Sequence, residues 1–430
     1  MDHGLKKQLI IMNVKVTDEQ AIDSQPKTGV FHTFKKGLLS LGPGIITAAL
    51  VFGPSKMTIT SKLGAVYGYS LIWIVVAAIF FMTIFTTMGA RIGVATQQSL
   101  LSLIRSRWGK AAAVAIGLGV FLVTTSFQAG NSVGVGIAIA EGTGTSPVIW
   151  IVVFNIIGIS LLFFRSFYKV LEKLMIMLVG LMLFAFVTTL FLAKPSLAGI
   201  AGGFVPAVPA GALGLVIAFF ASTFSIVGAF YQSYLVQERV KLNPEIKETN
   251  SNSITGILIL GLMSAIVLIC AAAVLHPQGI AVASASDMAK ALEPLFGKYA
   301  ATLFLAGLFG AAFSSLVGNA TVGGTLLGDA LGYGSQLNSK AVRFLIALVM
   351  VIGAGIAIAF GKLPLELIVF AQSVTIFLVP FIGIAMYAIA NNAQIMGPLK
   401  NSLPVKIIGG LGLCILIVLA CSNVNELFLK

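Results

Sequence analysis

The sequence predicts an all-α polytopic membrane protein of eleven transmembrane helices, ten of them in two inverted halves of five, with the first and sixth helices broken. Three observations carry that reading. Hydrophobic residues make up 58% of the chain and charged ones only 10%, in apolar runs of about 18 residues or more, long enough to cross a bilayer. Two of those runs carry helix-disrupting residues near their middle. Lysine and arginine collect in alternate connections, as the positive-inside rule requires.

Taken in order, residues 1–36 are polar and mixed in charge, without the basic start, apolar stretch and cleavage site of a signal peptide, and are expected to form a cytoplasmic tail. The transmembrane domain is expected to occupy 37–430. Its spans are expected near 38–60, 64–90, 111–139, 148–164, 170–193, 209–236, 251–275, 298–327, 342–360, 364–390 and 404–424. The inverted halves then cover about 38–193 and 209–390, with 404–424 as an extra helix. With the N-terminus inside and the C-terminus outside, inward segments hold most of the 27 lysines and arginines. Outward segments hold Lys62, Lys194, Lys290, Lys298, Lys362 and Lys430, and Lys56 alone falls within the membrane. Cys270, Cys414 and Cys421 have neither metal-ligand nor framework spacing and read as inert core residues.

The first break lies in LGPGIITAALVFGPSKMTITSKLGAVYGY, Leu41 to Tyr69, at Gly53-Pro54-Ser55-Lys56. Proline removes a backbone donor and glycine weakens the helix, so polar backbone is freed at a depth where it is tolerated only beside a cavity. A broken transmembrane helix is therefore a candidate binding site. The second lies in FFASTFSIVGAFYQSYLVQE, Phe219 to Glu238, where Ser222, Thr223, Ser225 and Gly228 interrupt an apolar run.

Beyond these features the chain resembles a known family. GPGIITAALVFGPSKMTITSKLGAVYGYSLIW followed by ARIGVATQQSL is similar to the first two helices of the NRAMP (natural resistance-associated macrophage protein) divalent metal transporters. LFGAAFSSLVGNATVGG resembles their eighth helix, and FAQSVTIFLVPFIGI with NNAQIMG their tenth helix and following loop. The resemblance spans roughly 38–400 and implies the LeuT-like fold with alternating access and metal-ion transport. It also places the family's metal-binding Asp-Pro-Gly-Asn on Gly53, Pro54, Ser55 and Lys56, and its sixth-helix Met-Pro-His on Ser225, Ile226 and Val227. A later family histidine falls on Gln232. The third-helix acids associated with proton passage fall within Thr124 to Gly134, which holds no carboxylate.

The residues alone agree with that loss. All 14 acids lie in tails, loops or helix ends, and His3, His32 and His276 avoid the middle of any span. Transition metals seek carboxylate, imidazole or softer ligands, and a proton relay needs titrating groups. A lysine at mid-bilayer costs about 2.5–3.5 kcal/mol on insertion scales unless water or a partner meets it. Held protonated 4 Å from a dication, it adds a repulsion of roughly 8 kcal/mol at an effective dielectric near 20.

Three readings of Lys56 stay open: an anchor for a small anionic or zwitterionic solute, a tethered substitute for a transported cation, and a lysine that snorkels to water past Thr58 and Lys62. Gln372 matches a tenth-helix glutamine near substrate, or serves as a helix-to-helix hydrogen bond. Ser314, Ser315 and Asn319 are candidate sodium-ion oxygens or packing contacts, and Gln128 and Asn131 candidate lining of a polar route or plain packing.

Other classes recede. GVGIAIAEGTG and GGTLLG lack the Lys-Ser/Thr ending and strand-helix setting of a nucleotide loop, no Ser/His/Asp arrangement forms, and the net charge of +13 has no basic-aromatic cluster to suit a nucleic acid. The expectation is a cell-membrane secondary transporter, not an enzyme, with no cofactor, its partners a small solute or ion and the lipid bilayer, functional as a monomer. Its altered site (Gly53, Pro54, Ser55, Lys56, Ser222, Ser225, Gln372) is expected to carry a small anion, zwitterion or hydrated ion. The alternatives are a conventional divalent metal transporter using backbone carbonyls and Gln372, or a solute sensor that moves nothing.

Overall fold

The computed structural model describes residues 42–164, 166–242, 250–280, 282, 287, 289, 293, 297–360 and 365–428, with the side chains of 250–252, 365–374, 377, 424 and 426–428 outside that description, as is the expected tail 1–36. Among the described residues the regular structure is helical throughout. The first apolar run is a broken pair, α1 (Gly42–Val51) and α2 (Pro54–Tyr67). Extended backbone at Gly53 and Pro54 in the first position of α2 separate the two halves, because proline cannot continue α1 yet suits a helix start. Next comes α3 (Ile72–Ala95). The sequence expectation of a loop at 61–63 is corrected here: the polar Ser61-Lys62 pair stays helical, and α2 stops only at Gly68, whose φ of 60° no side chain favours. Lys62 is accordingly half-buried on α2 and not in an outward loop.

Helix α4 (Leu100–Thr143) starts on Ser99, whose hydroxyl accepts from the Ser102 amide, and is divided at Gly109 (φ 87°) into a short leading segment and a long one. Then follow α5 (Pro147–Leu161), α6 (Phe167–Ala193) and a short unforeseen helix α7 (Leu197–Gly202). The second broken pair is α8 (Leu213–Thr223) and α9 (Ile226–Leu242). The chain closes with α10 (Asn250–Val274), α11 (Lys298–Leu331), α12 (Lys340–Phe360), α13 (Leu365–Ala390), the single turn α14 (Ala393–Met396) and α15 (Leu403–Phe428). Among the described residues eight spans, the α8–α9 pair taken as one, are long and apolar enough to cross a bilayer. The broken α1–α2 pair, the 15-residue α5 and α13 hold the places of the other expected crossings.

Helices α4 and α11 pack along their length at the centre, with α1 beside α10 and α9 beside α3. Close approach needs small residues: a Cβ on Gly256 of α10 would lie 2.1 Å from the Gly44 carbonyl oxygen of α1. Aromatic rings fill the wider gaps, as in the run Phe52–Phe186–Phe304, with centroids 5.8 and 5.7 Å apart. Cys270 is buried as expected, but Cys414 and Cys421 are exposed because α15 lies at the periphery.

Candidate functional site

Both helix breaks open onto one cavity of about 60 Å³. Its wall includes Gly53, Ser55 and Lys56 from the first break, Ser222 and Ser225 to Gly228 from the second, and Thr124, Phe127, Asn131, Asn319 and Thr375 from α4, α11 and α13. That volume is well below the roughly 150 Å³ that admits benzene, yet ample for a few waters.

The polar backbone freed by the first break is met from α11. The Ala49 carbonyl accepts from the hydroxyls of Ser314 (3.0 Å) and Ser315 (3.2 Å), and the Leu50 carbonyl from Ser315 (3.1 Å) and the Asn319 amide (3.5 Å). The Val51 carbonyl takes the Gly53 amide at 3.1 Å. These α11 side chains thus cap the end of α1. Space is tight: a Cβ on Gly53 would sit 2.8 Å from Ser315 Oγ and 3.1 Å from Asn131 Oδ1.

At the second break Ser225 caps α9, its hydroxyl accepting from the Gly228 amide at 3.2 Å, and Ser222 donates back to the Phe219 carbonyl at 2.9 Å. The first-turn amides of Ile226 and Val227 have no helical partner, and neither have those of Ser55 and Lys56 at the start of α2. Residues of two helix N-termini, with their partial positive charge, therefore line one cavity.

Lys56 joins the breaks. It is 1% exposed; its Nζ donates to Thr223 Oγ1 in the last turn of α8 and lies 4.9 Å from the centroid of the Phe219 ring. Both contacts suit a cation, one being the negative end of a helix and the other an aromatic face. The side chain takes no path to water past Thr58 and Lys62, so the snorkelling reading is set aside. Thr58 itself donates back to the Pro54 carbonyl at 2.9 Å.

The remaining sequence candidates divide. Asn131 reaches the cavity, whereas Gln128 is tied to the Leu316 carbonyl (2.9 Å) and to Asn131 (3.4 Å). Gln232 lies away from the wall, between Thr47 of α1 and Ser253 of α10. Pro54 packs against Gly134 of α4. Gln372 is on α13, but its side chain lies outside the described residues. Sequence reasoning gave no site role to Phe219, Thr223 or Thr375, though Thr375 is one turn beyond Gln372 and Thr223 stands in the interrupted run. No group of three or more His, Cys, Asp or Glu that could hold a metal occurs among the described residues.

Comparisons with known proteins agree with this architecture. A Deinococcus radiodurans protein named divalent metal cation transporter MntH is 26% identical over 88% of both chains. In structure, a crystallised manganese transporter of Eremococcus coleocola superposes with a TM-score of 0.72 over 94% of this chain and 90% of that one, at 19% identity. A nucleobase-cation-symport-1 family transporter in a closed conformation gives 0.55 at 13% identity, over 90% and 94%. The fold is LeuT-like. The family model described as natural resistance-associated macrophage protein-like matches residues 44–426, and the chain belongs to that Nramp family.

Proposed function

We propose that this chain is an alternating-access secondary transporter whose central site takes a small anion and does not bind bare transition-metal dications. The observation that carries the reading is Lys56 in the wall of a cavity lined by two helix N-termini and, among the described residues, by no carboxylate, imidazole or thiol. In a space this small a dication meets the lysine charge at a few ångströms, a repulsion of several kcal/mol, with only neutral oxygens to offset it. An anion meets an ammonium, free amides at the starts of α2 and α9, and hydroxyls at Ser222, Ser225 and Thr375.

An anion also fits better than a zwitterion. The carbonyls of Ala49, Leu50 and Val51, which would receive a positive pole, already accept hydrogen bonds. Proton coupling through the third-helix positions has no titrating group to run on, since Thr124, Gln128 and Asn131 are neutral. The protein acts in the cell membrane as a monomer, with the N-terminus cytoplasmic and the C-terminus outside.

The second reading is transport of a divalent metal, favoured by relatives named divalent metal cation transporters that match nearly full length. Thermal unfolding of purified protein separates the two. Nitrate, formate or chloride raises the melting temperature of wild type and not of Lys56→Gln, and Mn²⁺ leaves both unchanged. Stabilisation of wild type by micromolar Mn²⁺ supports metal transport instead.

A further inference from the structure

Ten residues along α11 from Asn319 of the cavity wall stands a buried carboxylate that neither the cavity nor its walls use. Asp329, in the last turn of α11, is 5% exposed and accepts from the Tyr234 hydroxyl of α9, Oη to Oδ2 2.7 Å. Tyr234 Oη in turn accepts from the Leu101 amide at 3.1 Å, in the first turn of α4. From the same short segment Arg105 donates to the Asp329 and Ala330 carbonyls at 2.9 and 2.6 Å, capping the end of α11. Gln237 of α9 donates to the Gln98 carbonyl at 2.7 Å, just ahead of Leu101.

We propose that the Tyr234–Asp329 pair is the latch that keeps the α9 end of the transport route closed, and that it parts in every cycle. Three features lead there. Helix α9 begins at the site and runs away from it, so its middle must separate from α11 if this side is to open. That middle stretch is sealed, with Tyr231, Tyr234 and Leu235 at 1%, 5% and 1% exposure and the two tyrosine rings stacked at 5.9 Å. The seal rests on a hydrogen bond to a carboxylate, stronger than a neutral one, backed by the two Arg105 bonds to the end of α11, so few contacts have to part. The third member can move: the segment Leu100–Trp108 joins the rest of α4 through Gly109, at φ 87° with no atom within 4 Å of a Cβ built there. It can follow α9 while long α4 stays packed on α11.

In this scheme Tyr234 and Asp329 are positioning residues, remote from substrate, and the scheme rests on the alternating-access reading above. The opposite end is formed by α2 and α8, which pack on each other as α1 packs on α9. A latch at one end therefore acts reciprocally on the other.

The test uses two single-cysteine reporters in a full-length background lacking Cys270, Cys414 and Cys421: Leu235→Cys at the α9 end and Ala65→Cys on α2. Labelling by a membrane-impermeant maleimide is followed with wild-type residues, Tyr234→Phe, Asp329→Asn and both changes. Each single change is expected to raise labelling at 235 on the order of tenfold, as for loss of a hydrogen bond to a charged group. The double change adds nothing further, and labelling at 65 falls. Unchanged labelling at 235 in folded variants overturns the latch, as does a rise at both ends, which marks general loosening. Flux through wild type judges the transporter reading separately: flux with unchanged labelling sinks the latch alone, and no flux sinks the parent reading.

Discussion

Lys56 is held as a cation is held, by a hydroxyl at a helix C-terminus and an aromatic face, at 1% exposure. A buried amine is a stability cost, and a chain that needed only packing would place an apolar residue there. Lys56→Met is therefore expected to leave the melting temperature unchanged or higher while abolishing stabilisation by nitrate; a drop of many degrees would assign Lys56 to structure alone. Its partner gives a sharper check. Thr223→Val removes the oxygen but keeps the shape, and is expected to cost about 1–3 kcal/mol with Lys56 present. In the Lys56→Met background the same change costs close to nothing. Equal costs in the two backgrounds break the proposed pairing.

At the scale of the element, the breaks are what the site is made from, and their stability comes from a neighbour. Ser315 serves two freed carbonyls of α1 and Ser314 shares one of them. Ser315→Ala should therefore destabilise by about 1–3 kcal/mol and Ser314→Ala by less, read from thermal unfolding. The reverse order contradicts this assignment of caps. Gly53→Ala is expected to cost a similar amount by crowding Ser315 Oγ and Asn131 Oδ1.

Both breaks were legible in the sequence, because Gly53-Pro54 and the Ser/Thr cluster at 222–225 announce themselves chemically. The end of α2 was not. Ser61-Lys62 reads as a loop by polarity, but a polar pair continues a helix when a neighbour buries it, and only positive φ at Gly68 ends it. Lys56 stood out as the lysine out of place. Its partner did not, since Thr223 lies 167 positions away and only the fold brings the breaks together. From sequence the α11 serines are candidates for an ion or for packing alike. Their donation to Ala49 and Leu50 needed the register of α11 on α1, which no local pattern encodes.

For the whole molecule, membership of the Nramp family fixes the frame, and the departures within it concern charge. Where relatives are named for divalent metals, this chain places a lysine and two helix N-termini around about 60 Å³. We propose that the sign of the transported charge follows from that arrangement. The most direct test is flux in proteoliposomes containing the full chain, comparing nitrate, formate and chloride with Mn²⁺, for wild type and Lys56→Gln. Saturable anion flux is expected through wild type, with its loss in Lys56→Gln and no Mn²⁺ entry into either. Saturable Mn²⁺ uptake by wild type, with no anion flux, contradicts it and restores the metal reading despite Lys56.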